Sequence, residues 1–339
     1  MKANILVCGK IGAGKTSLIQ AVTKFGAVPE ENIGIGREGM TQLTVYETDA
    51  ADFIDADGLD PGLAMADYER AVAEEKAADP GAEPSDTVID AIWYCIDGSA
   101  DGIDNADIAF IHTFSEKVLI VITKADAMTK EQTEKLLPGL REHFSADGIT
   151  IVSARKQTGL KKLLDRTLHI LETSLNKSGA DFPEFQKTWN RYYEKKILLW
   201  KERAGAEADE LINWAAGRAA AIAIVPLPLA DVVPLVANEA YMIKKMAAIY
   251  GYTTGESVVT MLGGVAGGSI VGKALASFLP GLKIPIAAGV TYGVGKAAKA
   301  YFESDMKLDV SKLKDTFEKA KSEAANFDWK GNKEDDGGI

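Results

Sequence analysis

One eight-residue segment constrains the fold of this chain more than any other feature. The sequence GKIGAGKT, residues 9–16, follows a short apolar run and precedes a helical pattern, TSLIQAVTKF. It fits the pattern GxxxxGK(S/T), in which glycines allow backbone N–H groups to surround phosphate oxygens. We therefore predict a strand, a phosphate-binding loop and a helix, in that order.

The residues of this loop have separate expected roles. Lys15 is predicted to reach the β- and γ-phosphate oxygens and to take part in catalysis. The hydroxyl of Thr16 is predicted to coordinate Mg²⁺. The other predicted nucleotide-binding residues of the loop are Gly9, Lys10, Ile11, Gly12, Ala13, Gly14 and Ser17.

Short apolar runs alternate with helical patterns through the first half of the chain. Because the second and third runs are too close in sequence for a crossover helix, we expect them to pair antiparallel at one edge. The fold class is therefore α/β with a six-stranded mixed, mostly parallel sheet, followed by an all-helical region. The six predicted strands cover residues 3–8, 42–47, 52–56, 88–97, 117–123 and 149–154.

The length of 339 residues suggests about two domains. A turn after the helical pattern TGLKKLLDRTLHILETSL ends the first, predicted at residues 1–178. A helical domain is predicted at 179–325, and a flexible tail at 326–339. Aromatic residues at helical spacing from Phe182 onward are expected to be core. The acidic, alanine-rich insertion at 57–87 is expected to form a solvated helix.

Two further segments carry candidates for chemistry at the γ-phosphate. In FIDADGL, residues 53–59, Asp55 is expected to hold Mg²⁺ through a water molecule, and the Gly58 N–H to sense the γ-phosphate. In the Gly-rich sequence GREGMTQ, the Thr41 hydroxyl is expected to close on Mg²⁺ only when a γ-phosphate is bound. Thr41 and Gly58 are thus candidate catalytic residues. Arg37 is either a solvated loop arginine or an arginine finger that accelerates hydrolysis.

Two short motifs follow the last two predicted strands, TKAD at residues 123–126 and SAR at residues 153–155. A carboxylate at Asp126 can accept both N1–H and the exocyclic amine of guanine. Adenine presents an acceptor at N1 and would leave that carboxylate unpaired. The predicted base-binding residues are Thr123, Lys124, Asp126, Ser153, Ala154 and Arg155.

As a set, GKIGAGKT, Thr41, DADG, TKAD and SAR resemble the five motifs of the Era-like, translation-factor-related bacterial GTPases. The resemblance covers about the first 175 residues in the correct order. It implies a P-loop GTPase domain that binds GTP and GDP with Mg²⁺ as cofactor and hydrolyses GTP slowly. It also implies two switch segments, one around Thr41 and one after Asp55.

Several residues depart from the patterns of related GTPases. Asp57 stands where the motif DTPG has proline, and Thr123 stands where NKxD has asparagine. Leu59 stands where Ras-like proteins have the glutamine that orients the attacking water. Asp57 and Leu59 favour poor hydrolysis, which keeps a structural role for the nucleotide open.

The second half contains a long segment without acidic residues. Residues 257–302 include four lysines and no Asp or Glu, and their longest uncharged stretch is 16 residues, 257–272. This is shorter than the roughly 20 residues that a spanning helix needs. The segment is either a tightly packed helical bundle or a hairpin that binds membranes under some conditions.

Residues 205–305 resemble the uncharacterised C-terminal domain of YcjF-type inner-membrane proteins, which also occurs attached to Era-like GTPases. The layout is more distantly similar to that of the immunity-related GTPases. This resemblance implies association with a membrane or the cell envelope and no chemistry of its own.

These patterns leave three functions open. The first is a nucleotide-gated switch, in which GTP orders the segments around Thr41 and Gly58 and changes the exposure of the helical half to a membrane or partner. The second is a hydrolysis-poor scaffold or membrane-remodelling protein. The third is a ribosome-assembly GTPase, the commonest role of Era-like relatives.

Charge and cysteine content limit the partners and the compartment. Residues 1–150 contain 12 Lys and Arg against 27 Asp and Glu. This acidic half argues against nucleic-acid binding, which needs a basic face. The expected partners are guanine nucleotide, an anionic membrane surface and a second copy of the chain through the G domain. Cys8 and Cys95 lie inside apolar runs, as expected for buried thiols in a reducing cytoplasm. Together with what the YcjF-type resemblance implies, the expected location is the cytoplasm, at the inner face of the membrane.

Overall fold

The computed structural model divides the chain into two compact units, Met1–Arg203 and Ala204–Ile339. The residues that it describes are 2–24, 42–57, 69–70, 88–100, 102–177, 179, 181–224, 232–265 and 280–324. Most of the predicted helix at 57–87 and all of the predicted tail at 326–339 lie outside these ranges.

The first unit contains a six-stranded sheet in the order β2-β3-β1-β4-β5-β6. β2 and β3 pair antiparallel, and all other neighbouring strands pair parallel. The predicted mixed, mostly parallel sheet and its antiparallel edge are confirmed. The strands are β1 Ala3–Gly9, β2 Gln42–Glu47, β3 Ala51–Asp57, β4 Ala91–Asp97, β5 Val118–Thr123 and β6 Ile149–Ile151.

Helices accompany the sheet in the order expected of an α/β domain. Two of them begin with capping boxes, formed by Asp104 with Asp107 and by Thr129 with Gln132, and these satisfy N–H groups of the first turn. The helices of the first unit are α1 Lys15–Thr23, α2 Asn105–Thr113, α3 Lys130–His143, α4 Leu160–Lys177 and the beginning of α5 Phe182–Ala223.

The core of the first unit forms because the central strands are apolar on both faces. β1 and β5 are buried along their entire length. The rings of Phe53 and Trp93 lie 5.2 Å apart, and the Trp93 indole N–H donates to Thr167 Oγ1 of α4 at 2.9 Å. This arrangement holds the sheet against α4 and fixes where the strands end.

The first unit ends later than the predicted boundary at residue 178. Phe185, Trp189, Tyr193 and Trp200 of α5 are buried in the same core as the sheet. Lys196 of α5 also donates to the carbonyls of Val22 and Thr23, at the C-terminal end of α1. The predicted aromatic core residues are therefore buried, but in the first unit. Their apolar contacts, and not the turn at 176–179, decide which compact unit they belong to.

Helices joined by short turns make up the described residues of the second unit, which contain no strand. Its helices are the end of α5, then α6 Val232–Ile249, α7 Glu256–Gly264, α8 Pro280–Glu303 and α9 Val310–Ala324. Glycines of α8 allow close packing: a Cβ at Gly295 would lie 2.7 Å from Ile212 Cγ1, and one at Gly293 would lie 2.7 Å from Phe317 Cδ2.

The structure bears on the acid-free segment at 257–302, part of which lies outside the described ranges. Within α8, the side chains of Val290, Val294, Ala297 and Ala298 are buried in the core of the second unit. For these residues the packing supports the interpretation as a bundle. Among the helices that the structure describes, none has the length and apolarity needed to cross a bilayer.

Candidate functional site

The C-terminal ends of four parallel strands bring the sequence motifs to one edge of the sheet. Val7 of β1 is paired with Asp55 of β3, and Asp97 of β4 with Thr123 of β5. Because these strands run in the same direction, the loops after β1, β3, β4 and β5 leave the sheet on the same side. The candidate site is assembled from these loops.

The loop after β1 has the backbone conformation predicted from its glycines. Gly12 and Gly14 have φ of 80° and 78°, in the left-handed region. Gly9 has φ of 136°, and a Cβ there would lie 2.2 Å from the carbonyl oxygen of Cys95 in the adjacent strand. The loop thus passes close against β4 before α1 begins at Lys15.

Lys15 is buried although it carries an ammonium group. Its Nζ donates to the carbonyl oxygens of Gly9 and Lys10, at 3.2 and 3.3 Å. The side chain therefore folds back over its own loop and places a positive charge among the backbone N–H groups at the start of α1. Such a position attracts anions.

Thr16 and Asp55 are brought together from α1 and β3. The Thr16 hydroxyl donates to Asp55 Oδ2 at 2.6 Å, and the Asp55 side chain is buried. A hydroxyl and a carboxylate are the oxygen donors that Mg²⁺ prefers, with the remaining ligands supplied by water and phosphate. The donor set therefore fits Mg²⁺. No cluster of three or more His, Cys, Asp or Glu suited to a metal occurs among the described residues.

The two base motifs meet at Asp126. Its two carboxylate oxygens accept hydrogen bonds from Ser153 Oγ and, at 2.7 Å, from Arg155 Nε. Burial alone would raise the pKa of the Asp126 carboxyl, but these two donors outweigh burial and hold the pKa below its ordinary value. Asp126 is thus a carboxylate at neutral pH, as acceptance of two N–H groups requires.

Thr123 connects the base motif to the phosphate loop. Its hydroxyl donates to the Ala13 carbonyl at 2.6 Å. Threonine stands here in place of the family's asparagine, and it still makes a hydrogen bond between the base motif and the phosphate loop. Ala154 follows Ser153, is partly buried, and packs against the core of the first unit.

A polar network around Asp97 is a part of the site that sequence reasoning missed. Asp97 accepts from Lys124 Nζ at 2.7 Å and from Ser99 Oγ at 2.6 Å. Burial raises the pKa of Asp97, but the bonds from Lys124 and Ser99 outweigh it and lower the pKa. Lys124 itself has φ of 53°, a conformation that a non-glycine residue rarely adopts. The sequence did contain a signal for this network, because Asp97 is a carboxylate at the end of an apolar run, as expected for a residue near a site at the strand ends.

A second unpredicted contact fixes the other side of the loop. Lys10 Nζ pairs with Asp104 at 2.9 Å and with Asp107 at 2.8 Å, both at the start of α2. The Tyr94 hydroxyl donates to Asp107 at 2.6 Å. The side chain of Lys10 is therefore directed at α2, while its backbone carbonyl accepts from Lys15.

Three predicted residues cannot be placed. Arg37, Thr41 and Gly58 lie outside the described ranges, and their catalytic and metal-binding roles stay predictions. The predicted loop residues Ile11 and Ser17 are described: Ile11 is exposed, and Ser17 lies in the first turn of α1.

Two family models match parts of the chain. The septin model matches residues 62–169, and the domain of unknown function DUF697 matches residues 193–260. The first overlaps β4, β5 and β6, and the second overlaps α5 and α6.

Two curated relatives share stretches of sequence with the chain. Magnetosome membrane protein 22 of Magnetospirillum gryphiswaldense is 31% identical over 141 residues, which are 35% of this chain and 72% of that protein. The tRNA modification GTPase MnmE of Treponema denticola is 26% identical over 182 residues, 52% of this chain. The chain spans 37% of the length of that relative.

Solved structures that match about half of this chain include a probable GTP-binding protein, engB, with 20% identity and a TM-score of 0.32 over 50% of this chain and 100% of the other. The G domain of the T. maritima FeoB iron transporter has 17% identity and a TM-score of 0.29, over 50% of this chain and 99% of the other. The septin match and the GTPase relative indicate a GTP-binding G domain. They do not distinguish the Era-like subgroup, which stays a prediction.

Proposed function

Because the chain belongs to the family of magnetosome membrane protein 22, we propose that it is a Mg²⁺-dependent GTPase whose nucleotide state controls attachment of its helical half to a membrane. The observation that carries the nucleotide part is the convergence of Lys15, the Thr16–Asp55 pair and Asp126 at one edge of the sheet. The membrane part is supported by the name of the relative and by the resemblance of the second half to YcjF-type domains.

Different residues bind the phosphates and the base of the nucleotide, at opposite ends of the site. The backbone N–H groups of residues 12–16 and the ammonium of Lys15 bind the phosphates. Asp126 accepts N1–H and the exocyclic amine of guanine, while Thr123 keeps the base motif at a fixed distance from the phosphate loop. Asp97 holds Lys124 beside the base.

Thr16 and Asp55 would hold Mg²⁺, with Asp55 acting through a water molecule. The ion would neutralise charge on the β- and γ-phosphates as it does in P-loop enzymes generally. Leu59 follows Gly58 where a water-orienting glutamine is common, and we therefore propose slow turnover.

The metal assignment predicts the behaviour of an Asp55→Asn variant. A carboxamide retains the size of the side chain but loses the charge that favours a divalent cation. We expect the Mg²⁺ concentration needed for half-maximal hydrolysis to rise about 10- to 100-fold. Phosphate release measured across a Mg²⁺ titration checks this.

Asp49→Asn is the matched control, because Asp49 is an exposed carboxylate in the turn between β2 and β3. Its Mg²⁺ titration should overlay that of the parent. If the Mg²⁺ titration of Asp55→Asn also overlays that of the parent, Asp55 does not contribute to Mg²⁺ binding.

The gating part is tested with the full-length protein and vesicles containing anionic phospholipid. The protein is loaded with GDP or with a non-hydrolysable GTP analogue and floated on a density gradient. We expect flotation in one nucleotide state only. Equal flotation in both nucleotide states would contradict control of membrane binding by the nucleotide. Absence of flotation in both states would contradict membrane binding itself. GTP hydrolysis is measured separately and is not affected by either outcome.

A hydrolysis-poor scaffold is the second candidate function, favoured by Asp57 and Leu59. It would bind GTP and the membrane but release no phosphate above the background rate. The same hydrolysis assay therefore separates the two candidates.

A further inference from the structure

The two lysines of the phosphate loop point in different directions. Lys15 Nζ folds back onto the carbonyls of Gly9 and Lys10. Lys10 Nζ leaves the loop and pairs with Asp104 at 2.9 Å and with Asp107 at 2.8 Å. A lysine in a phosphate-binding loop is expected to contact the anion itself. The side chain of Lys10 instead contacts two carboxylates at the start of α2.

Both carboxylates are fixed in position by α2 and β4. Asp104 Oδ1 accepts from the backbone N–H groups of Ala106 and Asp107, both at 3.0 Å. The Asp107 carboxylate is buried, and it accepts from the Tyr94 hydroxyl at 2.6 Å and from the Asp104 N–H at 2.9 Å. These bonds form the capping box that begins α2. Neither carboxylate can turn away from the loop without breaking bonds of this cap.

The carboxylates bring negative charge close to the phosphate loop. The hydrogen bond from Lys10 is the main cause that lowers the pKa of Asp104 to about 2, so this group is ionised at neutral pH. Both carboxylates lie within one lysine side chain of the loop backbone, a distance comparable to the Debye length of about 8 Å at physiological salt. Negative charge at this distance repels an anion bound in the loop.

Two requirements therefore conflict at this point of the fold. The first turn of α2 needs acceptors, and carboxylates are favoured at a helix N-terminus. The phosphate loop needs a positive potential, in a half of the chain that already carries 27 Asp and Glu against 12 Lys and Arg. Lys10 belongs to the loop and pairs with both carboxylates, so its ammonium offsets their charge.

We propose that Lys10 neutralises the Asp104–Asp107 pair and thereby permits the loop to bind the phosphates of a guanine nucleotide, without its side chain touching that nucleotide. Lys10 is thus a positioning residue that acts through α2. This inference rests on the proposed nucleotide binding and adds to it which residues set the potential at the phosphates.

The backbone of Lys10 has a separate role in the loop. Its carbonyl accepts from the Ala13 N–H at 3.1 Å and from Lys15 Nζ at 3.3 Å. Because these bonds use the backbone, a substitution of the Lys10 side chain leaves their groups in place. A side-chain variant therefore tests the charge of Lys10 and not the turn of the loop.

Lys10→Met should weaken binding in proportion to the charge of the ligand. Guanosine, GMP, GDP and a non-hydrolysable GTP analogue are compared by competition with fluorescent GDP. We expect guanosine affinity to be unchanged, GDP affinity to fall about tenfold, and the loss to be smaller for GMP and larger for the GTP analogue. Added salt should reduce these differences from the parent, because it screens the carboxylates.

Removal of the carboxylates should reverse the effect. In the Lys10→Met background, Asp104→Asn and Asp107→Asn together should restore GDP affinity to within about threefold of the parent. Asparagine keeps an acceptor at the start of α2, so the helix retains its cap. Lys10→Arg keeps the positive charge and should bind the four ligands as the parent does.

Lys195→Met is the matched control, because it removes the same charge from an exposed position on α5. Its neighbour Lys196 contacts the C-terminal end of α1, away from the phosphate loop. This variant should bind all four ligands as the parent does. Circular dichroism of every variant verifies the fold.

The ligand series separates the ways in which the proposal can be wrong. Equal losses for guanosine and GDP in Lys10→Met would mean that Lys10 only supports the fold. A graded loss that the two asparagine substitutions do not relieve would mean that Lys10 binds phosphate directly. Unchanged affinities in Lys10→Met would remove any role for its charge. If the parent itself binds no guanine nucleotide, the proposed function fails as well, and this is seen before any variant is compared.

Discussion

Replacing Asp126 by asparagine is expected to change the base that this protein prefers. The carboxylate accepts two N–H groups of guanine, whereas the carboxamide of Asp126→Asn offers one acceptor and one donor. Xanthine has a carbonyl in place of the exocyclic amine, so it matches the carboxamide. Affinity for GDP should fall on the order of 10²- to 10⁴-fold, because two charge-assisted hydrogen bonds are lost and an N–H faces an N–H.

Competition between fluorescent GDP and unlabelled GDP or xanthosine diphosphate measures this change. Xanthosine diphosphate should become the better competitor for Asp126→Asn and remain the poorer one for the parent. The ion pair to Arg155 is also lost, but the Arg155 side chain is largely exposed and such pairs contribute little.

Asp147→Asn is the control, because the Asp147 carboxylate is fully exposed in the same unit. It should leave both affinities unchanged. An Asp126→Asn protein that still prefers GDP would show that the base is read elsewhere.

The second large effect concerns Glu239 in the helical unit. Burial in the apolar bundle raises the pKa of this carboxyl from 4.5 to about 7, although the hydrogen bond from Thr291 acts in the opposite direction. The folded state therefore holds the Glu239 proton more tightly than the unfolded chain does. This contribution to stability is fully present below about pH 4.5 and is lost as pH rises through 7.

The expected loss is about 3 kcal/mol between those limits. A Glu239→Gln variant stays neutral at every pH, so the second unit should keep its stability up to pH 8. Amide hydrogen exchange of α6 and α8 at pH 5 and pH 8, corrected for intrinsic exchange rates, reports this unit separately from the sheet. All three histidines lie in the first unit and do not contribute.

Glu210→Gln is the matched control, because Glu210 is an exposed glutamate on α5 of the same unit. Its exchange should follow the parent at both pH values. If Glu239→Gln loses stability with pH as the parent does, another group titrates in the bundle.

The candidate site could be predicted in large part from the sequence because its recognition elements are local. The spacing of Gly9, Gly12, Gly14 and Lys15 dictates a loop that curls around an anion, whatever the rest of the chain does. Likewise, Asp126 lies three residues after Thr123 at a strand end, and this local spacing identifies it as the base-binding carboxylate. The strands themselves were evident from short apolar runs between turn residues.

Contacts between segments that are distant in sequence could not be predicted from local spacing. Asp97 binds Lys124 across 27 positions, and Lys10 reaches Asp107 across 97. Each of these carboxylates is one of 49 acidic residues, and no periodicity singles it out. The register of β4 against β5 brings Asp97 beside Thr123, and only the assembled sheet specifies that register.

The same distinction applies to the two halves. The sequence by itself determined that a phosphate-binding α/β unit precedes a helical one, since hydrophobic period and glycine spacing are properties of neighbouring residues. Only the tertiary structure decided that α5 divides between the two units at Arg203, and that Trp214, Val233 and Val236 are exposed while Ala288 and Val294 are buried. Both kinds of segment are apolar, and burial depends on which face meets another helix.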